Sequence, residues 1–125
     1  MNGKEILLDT NIVLYLLRGD DTLEKLLSGK NPFLSFMTEL ELIGFPDIAS
    51  EEEIKINELI AECLIVSLNN SIKKKYIELR RKYHLKLVDT IIAATAISLN
   101  IPFITSDKQF ASINELNLIQ YNITG

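Results

Sequence analysis

The fold is decided by a stretch near the start of the chain, Lys4-Glu5-Ile6-Leu7-Leu8-Asp9. Its short apolar run has the length and composition of a buried strand. Asp9 interrupts that run, and a helix is predicted to follow directly, from about Thr10 to Arg18. A strand that leads straight into a helix indicates an alternating α/β pattern.

The same alternation continues along the rest of the chain. Apolar runs predict four further strands, at Pro32–Ser35, Leu64–Val66, Ile101–Thr105 and Leu118–Tyr121. Apolar stripes with helical spacing predict helices around residues 56–63, 72–83 and 88–99, and shorter helices are predicted after Asp21, after Thr38 and over Lys108–Ile113. The predicted fold class is therefore α/β, with one domain over residues 1–125 and three α/β/α layers around a parallel sheet of four to five strands.

Three helix ends carry recognisable capping signals. Thr38 with Glu41 three residues later, and Ser50 with Glu53, are typical of helix starts. Asn100 is the predicted C-terminal cap of the longest apolar helical stripe.

Composition limits the classes of function. The chain has 125 residues, a net charge of −4, one cysteine and one histidine. A single cysteine excludes an internal disulfide, and a single histidine argues against zinc sites and histidine-dependent nucleophiles. Neither a signal peptide nor a membrane span is predicted, so we expect a cytoplasmic protein.

Four acidic residues stand in apolar segments, where an unpaired carboxylate is costly. They are Asp9, Glu41, Asp89 and Asp107. Asp9 and Asp107 follow predicted strands, and ligand sites of such sheets lie beyond the carboxyl ends of the strands. If the fold brings the four together, repulsion and burial would raise their pKa values unless a cation compensates, and oxygen-only ligands suit Mg²⁺ or Mn²⁺.

Each acidic residue also has a purely structural interpretation. Asp9 could simply cap the first helix, and Glu41 could be only the acidic partner of Thr38 in a capping box. Asp89 could merely complement a helix dipole, and Asp107 could stabilise a turn.

In four places the sequence resembles the PIN-domain ribonucleases, especially the VapC-type toxins of bacterial toxin–antitoxin pairs. The similar segments are Leu7-Leu8-Asp9-Thr10-Asn11-Ile12, Ser35-Phe36-Met37-Thr38-Glu39-Leu40-Glu41-Leu42, Leu87-Val88-Asp89-Thr90-Ile91-Ile92-Ala93-Ala94-Thr95-Ala96 and Ile104-Thr105-Ser106-Asp107-Lys108-Gln109-Phe110. Four segments in family order are more specific than any one of them. The register of the second segment selects Glu41 over Glu39.

The resemblance implies a PIN-like fold that cuts RNA with Mg²⁺ or Mn²⁺. Asp9, Glu41, Asp89 and Asp107 would be the metal ligands and the catalytic set, with Asn11 and Thr105 orienting them. Gln109 departs from the pattern, because many relatives carry another acid there, and this argues against a second tightly held metal. The implied partners are an RNA substrate, a small and partly disordered antitoxin, and a second copy in a homodimer.

A basic segment lies between the second and third of these acids along the chain. Residues 71–86 hold seven basic side chains against one acidic, Glu78, and they are Lys73, Lys74, Lys75, Arg80, Arg81, Lys82 and Lys86. They could steer an RNA backbone towards the acidic site, or form only a solvated helix face.

Two other functions fit the predicted architecture. A PIN fold could bind RNA or protein without cutting. A phosphoacceptor receiver domain has a similar length, but it needs an acidic pair after the first strand and an aspartate after the central strand. This chain has only Asp9 and, after Leu64–Leu68, Asn69-Asn70.

Overall fold

Residues 3–123, the part of the chain that the computed structural model describes, contain a five-stranded sheet in which every pairing is parallel. Its strands are β1 Glu5–Leu8, β2 Asn31–Ser35, β3 Leu64–Val66, β4 Phe103–Thr105 and β5 Leu118–Gln120. The spatial order is β3-β2-β1-β4-β5, which places the first strand in the centre. Receiver domains use the order 2-1-3-4-5 instead.

Helices cover both faces of this sheet. Their bounds are α1 Thr10–Leu17, α2 Asp21–Leu27, α3 Phe36–Ile43, α4 Ser50–Ala61, α5 Asn70–Lys82 and α6 Leu87–Leu99, with a short 3₁₀ helix at Lys108–Ser112. One apolar cluster joins α5 and α6 to the sheet through Leu7 and Phe103. A second cluster joins α1, α2 and α4 to the opposite face. The three-layer α/β/α prediction is confirmed.

The alternation of side chains along β1 explains why its sequence is apolar throughout. Leu7 points into the first cluster, whereas Ile6 and Leu8 point into the second, and all three are almost fully buried. A strand covered by helices on both sides has no solvent-facing positions, and its residues read as a continuous apolar run.

Two predicted helix starts are wrong. α3 begins at Phe36, because Ser35 caps it by accepting a hydrogen bond from the Met37 amide at 3.1 Å. Thr38 therefore lies inside the helix. α4 begins at Ser50, but its cap residue is Ala49, which makes no side-chain capping bond.

The turn from α6 into β4 shifts a third boundary. Asn100 adopts the left-handed conformation, with φ 55°, and so acts as the predicted C-terminal cap. The amide of Ile101 donates to the carbonyl of Ala96, which closes the helix end. β4 consequently starts at Phe103, two residues later than predicted.

All five strands point the same way, so their carboxyl ends form one edge of the sheet. Asp9 directly follows β1, α3 begins directly after β2, and Asp107 follows β4 by two residues. This edge therefore collects polar groups from distant parts of the chain. Within residues 3–123, no helix is long and apolar enough to cross a membrane. Residues 1, 2, 124 and 125 of the predicted 1–125 domain lie outside the described residues.

Candidate active site

One pocket at the carboxyl edge of the sheet contains all four predicted acidic residues. Its volume is about 220 Å³, and it is lined by Asp9, Thr10, Asn11, Leu14, Glu41, Phe45, Asp89 and Asp107. Four segments that are far apart in sequence therefore meet in one place.

Asp9 is the most firmly held of the four. Its side chain is only 7 % exposed. One carboxylate oxygen, Oδ1, accepts from the backbone N–H of Thr10 at 2.9 Å, and Oδ2 accepts from the hydroxyl of Thr105 at 2.5 Å. Burial raises the pKa of Asp9, the two hydrogen bonds oppose that rise, and the charges of Asp89 and Asp107 add to it.

Thr105 links two of the acidic residues. It is fully buried at the end of β4, and besides donating to Asp9 its hydroxyl oxygen accepts from the backbone N–H of Asp107 at 3.0 Å. The carboxylate of Asp107 in turn accepts from the backbone N–H of Gln109 at 2.9 Å and caps the 3₁₀ helix. Asp107 is thereby fixed through its backbone and its side chain.

Glu41 lies at the solvent-exposed side of the pocket. Its Oε1 accepts from the hydroxyl of Thr10 at 2.7 Å. The hydroxyl of Thr38, which is fully buried, lies 3.2 Å from the same Thr10 hydroxyl. Ser35 caps α3, so the interpretation of Glu41 as partner in a Thr38 capping box is wrong.

Asp89 differs from the other three because no hydrogen bond from residues 3–123 holds its carboxylate. It lies half-buried in the first turn of α6. Burial, followed by the charges of Asp107 and Glu41, raises its pKa, and the ammonium of Lys86 partly offsets that rise. Repulsion between carboxylates on different sides of the pocket thus contributes to the raised pKa of Asp89.

Asp9 and Asp107 have the predicted structural roles in addition to lining the pocket. Asp9 does cap α1, and Asp107 does cap the 3₁₀ helix. Capping does not explain why both carboxylates also face Asp89 across the pocket. The two interpretations are compatible.

The residues predicted to orient the carboxylates differ in their contacts. Thr105 donates to Asp9, as described above. Asn11 lines the pocket, but within residues 3–123 no hydrogen bond joins its side chain to a carboxylate. Gln109 is exposed and meets Asp107 only through its backbone.

Three of the seven residues in the basic segment are engaged away from the pocket. Lys75 pairs with Glu78 at 3.3 Å, Lys82 pairs with Glu115 at 3.4 Å, and Arg80 donates to the carbonyl of Leu85. Lys86, the cap residue of α6, is the member whose charge acts on a pocket carboxylate among the described residues. Lys73, Lys74 and Arg81 are exposed on α5.

Sequence reasoning missed three residues that shape the pocket. Thr10 contacts two of the acids, and Leu14 and Phe45 supply apolar walls. Leu14 lies one helical turn after Thr10, so the spacing along α1 could have indicated it. The sequence gives no comparable signal for Phe45, which follows the end of α3.

The donor set of the pocket fits a hard divalent cation. The donors are carboxylate oxygens, and the raised pKa values of Asp9 and Asp89 arise in part from negative charge that a cation would neutralise. Among residues 3–123, no three acidic, histidine or cysteine side chains are already arranged around a common metal position. Binding would therefore need some side-chain rotation, and Glu41 and Asp89 are open enough for it.

A model of the PIN domain family matches residues 6–116. The chain belongs to the PIN-domain family. The predicted membership of this family is confirmed. No curated protein sequence matches the chain closely enough to add to it.

Solved structures similar to this PIN domain come from toxin–antitoxin complexes. A chain of a toxin-antitoxin complex from Klebsiella pneumoniae is 28 % identical, with a TM-score of 0.79, and the match covers 94 % of this chain and 99 % of that one. A chain of VapBC-1 from nontypeable Haemophilus influenzae is also 28 % identical, with a TM-score of 0.75 and coverage of 93 % and 97 %.

The fold is matched still better at lower identity. A chain of VapBC2 from Rickettsia felis, bound to a DNA fragment from its promoter, has a TM-score of 0.84 at 20 % identity, with coverage of 94 % and 99 %. Taken with the family match, these structures confirm the predicted resemblance to VapC-type toxins.

Proposed function

We propose that this PIN domain is an endoribonuclease that uses Mg²⁺ or Mn²⁺ and acts as the toxin of a type II toxin–antitoxin pair in the cytoplasm. One observation carries the proposal. Four carboxylates from four separate segments line a single pocket in a chain of this family.

The four carboxylates would hold the cation. When bound, the ion would bind the scissile phosphate, lower the pKa of an attacking water and stabilise charge on the leaving oxygen. Asp9 would keep a fixed direction, because Thr10 and Thr105 hold both of its oxygens. Asp89 and Glu41 would turn towards the ion from the more open sides of the pocket. The carboxylates are thus ligands, and none of them attacks the phosphate.

The basic segment is the proposed route for the RNA backbone. Lys86 lies beside Asp89 at the start of α6, where the helix dipole also favours an anion. The exposed Lys73, Lys74 and Arg81 would add longer-range attraction, which salt would weaken.

The proposed antitoxin has a place to bind beside the pocket. A groove of about 580 Å³ is lined by Leu14, Leu17, Arg18, Phe45, Pro46, Asp47, Ile48, Glu52, Lys55 and Ile56. It shares Leu14 and Phe45 with the acidic pocket. A partner segment lying in this groove could place a basic side chain among the carboxylates and compete with the metal. The structures similar to this chain, being toxin–antitoxin complexes, support such a partner. A homodimer stays a prediction.

A second candidate function is a PIN domain that binds RNA or protein without cutting. Gln109 favours it, because the additional acid of many relatives is missing there. The intact set of four carboxylates favours the nuclease.

The deciding experiment is incubation of purified, partner-free protein with a mixed cellular RNA pool in Mg²⁺, Mn²⁺ or EDTA. We expect discrete products with either metal and none with EDTA. Asp9→Asn and Asp89→Asn should each reduce cleavage about a hundredfold or more, because a metal ligand contributes several kcal/mol to the transition state. Folded wild-type protein that cuts under none of these conditions would favour the binding module.

A further inference from the structure

Thr10 contacts two of the four carboxylates through different atoms. Its backbone N–H donates to Asp9 Oδ1 at 2.9 Å, and its hydroxyl donates to Glu41 Oε1 at 2.7 Å. Asp9 stands at the end of β1 and Glu41 stands on α3, so this one residue connects carboxylates from two different elements.

Thr38 determines how the Thr10 hydroxyl is used. Thr38 is fully buried, and its hydroxyl lies 3.2 Å from that of Thr10. Each hydroxyl has a single hydrogen, and a buried hydroxyl needs a partner within the protein. The Thr10 hydroxyl cannot donate to both neighbours, and a carboxylate can only accept, so the hydrogen of Thr10 is assigned to Glu41 and Thr38 is the donor to the Thr10 oxygen. The three groups form a directed chain from Thr38 through Thr10 to Glu41.

We propose that Thr10 is a positioning residue that sets the placement of Glu41 relative to Asp9, with Thr38 fixing the direction of its hydroxyl. The inference deepens the proposed function and rests on it, because the two carboxylates are proposed metal ligands. Groups that hydrogen-bond to metal ligands reduce metal affinity about 10- to 100-fold when they are removed. Thr10 should act in this way although it never touches the ion.

The geometry predicts what different substitutions do at this position. Valine has nearly the shape of threonine but no hydroxyl, so Thr10→Val keeps the backbone bond to Asp9 and removes the bond to Glu41. Serine keeps the hydroxyl, so Thr10→Ser should restore the contact. Thr38→Val removes only the group that directs the Thr10 hydroxyl, and its effect should be smaller.

The test is Mn²⁺ binding, followed by the electron paramagnetic resonance signal of free Mn²⁺ and expressed per folded molecule. We expect the Kd to rise about tenfold in Thr10→Val, about threefold in Thr38→Val, and less than about threefold in Thr10→Ser. Thr95→Val is the matched control. Thr95 is also fully buried, but its hydroxyl donates at 2.8 Å to the Ile91 carbonyl, away from the carboxylates. Its Kd should equal that of the wild type.

The alternatives give distinct results. An unchanged or lower Kd in Thr10→Val, beside a wild type that binds Mn²⁺, overturns the positioning role and leaves the proposed function in place. A wild type that binds no Mn²⁺ overturns both. An equal rise in Thr10→Val and Thr95→Val would mean a general loss of structure and would also overturn the inference. Should Thr10→Val fail to fold, the comparison of Thr38→Val with Thr95→Val decides by the same criteria.

Discussion

The two sides of the acidic pocket are built differently. On the β1 side, Asp9 is 7 % exposed and both of its oxygens accept hydrogen bonds. On the α6 side, Asp89 is half-buried, and within residues 3–123 its carboxylate accepts none. Burial and neighbouring carboxylates nevertheless raise the pKa of both groups. The two carboxylates thus share the direction of their pKa shift but differ in how many hydrogen bonds hold them.

This difference indicates that Asp9 and Asp89 have different roles in ligand binding. A fixed carboxylate gives a binding site its direction, because its geometry is set before any ligand arrives. A carboxylate held only by its own helix can rotate to meet an incoming cation. Substitutions on the two sides should therefore have different effects on the stability of the metal-free protein.

Replacing each aspartate by asparagine gives the largest expected contrast. In EDTA, Asp89→Asn should melt above the wild type, because it removes a repelled charge and breaks no hydrogen bond. Asp9→Asn should melt at or below the wild type, because the amide has one acceptor oxygen and either the Thr10 N–H or the Thr105 hydroxyl loses its acceptor, a loss of about 1–3 kcal/mol that offsets the relief of charge. Scanning calorimetry of the three proteins measures the difference.

The two variants control each other, because both replace an aspartate by asparagine. Equal melting temperatures for Asp9→Asn and Asp89→Asn would contradict the contrast between the two sides. Both variants should lose the stabilisation that Mg²⁺ gives the wild type.

The pH dependence of the metal-free protein should sharpen the same contrast. A carboxyl whose pKa is raised above its ordinary 3.8 binds its proton more tightly in the folded than in the unfolded state. Its contribution to stability is therefore greatest at low pH and is lost as the pH rises through the raised pKa. Asp89→Asn removes one such group, so its advantage in melting temperature over the wild type should grow as the pH rises from about 4 through the raised pKa of Asp89, and then level off.

Melting curves in EDTA across that range provide the measurement, and the difference between variant and wild type cancels the titration of unrelated groups. An advantage that shrinks with rising pH would show that Asp89 is stabilised in its charged form. Addition of Mg²⁺ should oppose the trend, because only the wild type keeps its metal-dependent stabilisation and metal affinity rises as carboxylates lose their protons.

The smallest effect is expected at Lys86, whose charge acts on Asp89, the carboxylate without a hydrogen bond from residues 3–123. Lys86→Gln should weaken RNA binding in EDTA and reduce the slope of log affinity against log salt by about one, as the loss of a phosphate contact would. Lys74→Gln is the matched control, because Lys74 is exposed on α5 in the same basic segment. Equal losses in both variants would indicate diffuse attraction by the whole segment.

The alternation of strands and helices could be predicted because buried strands and amphipathic helices leave different apolar periods. The errors fall at boundaries that tertiary contacts decide. Thr38 is of a residue type that often caps helices, yet its hydroxyl contacts Thr10, a residue 28 positions away. Likewise, the apolar sequence predicts that β4 begins at Ile101. The amide of Ile101 instead bonds to the end of α6, and β4 begins two residues later.

The candidate site shows the same limit. The gathering of Asp9 and Asp107 at one edge follows from parallel strands and could be argued from the sequence. The hydrogen bonds of Thr10 and Thr105 depend on side-chain directions that no local pattern specifies. The same holds for the lack of support at Asp89, which distinguishes the two sides of the pocket.

The bond between Thr105 and Asp9 has a consequence for synthesis on the ribosome. It spans 96 positions of the chain, and β4, which carries Thr105, pairs directly with β1. An emerging chain can make α1 and β2 early, but the pocket has no second side until α6 and β4 have left the exit tunnel. The four carboxylates of a growing polypeptide therefore meet in one pocket only after β4 has emerged.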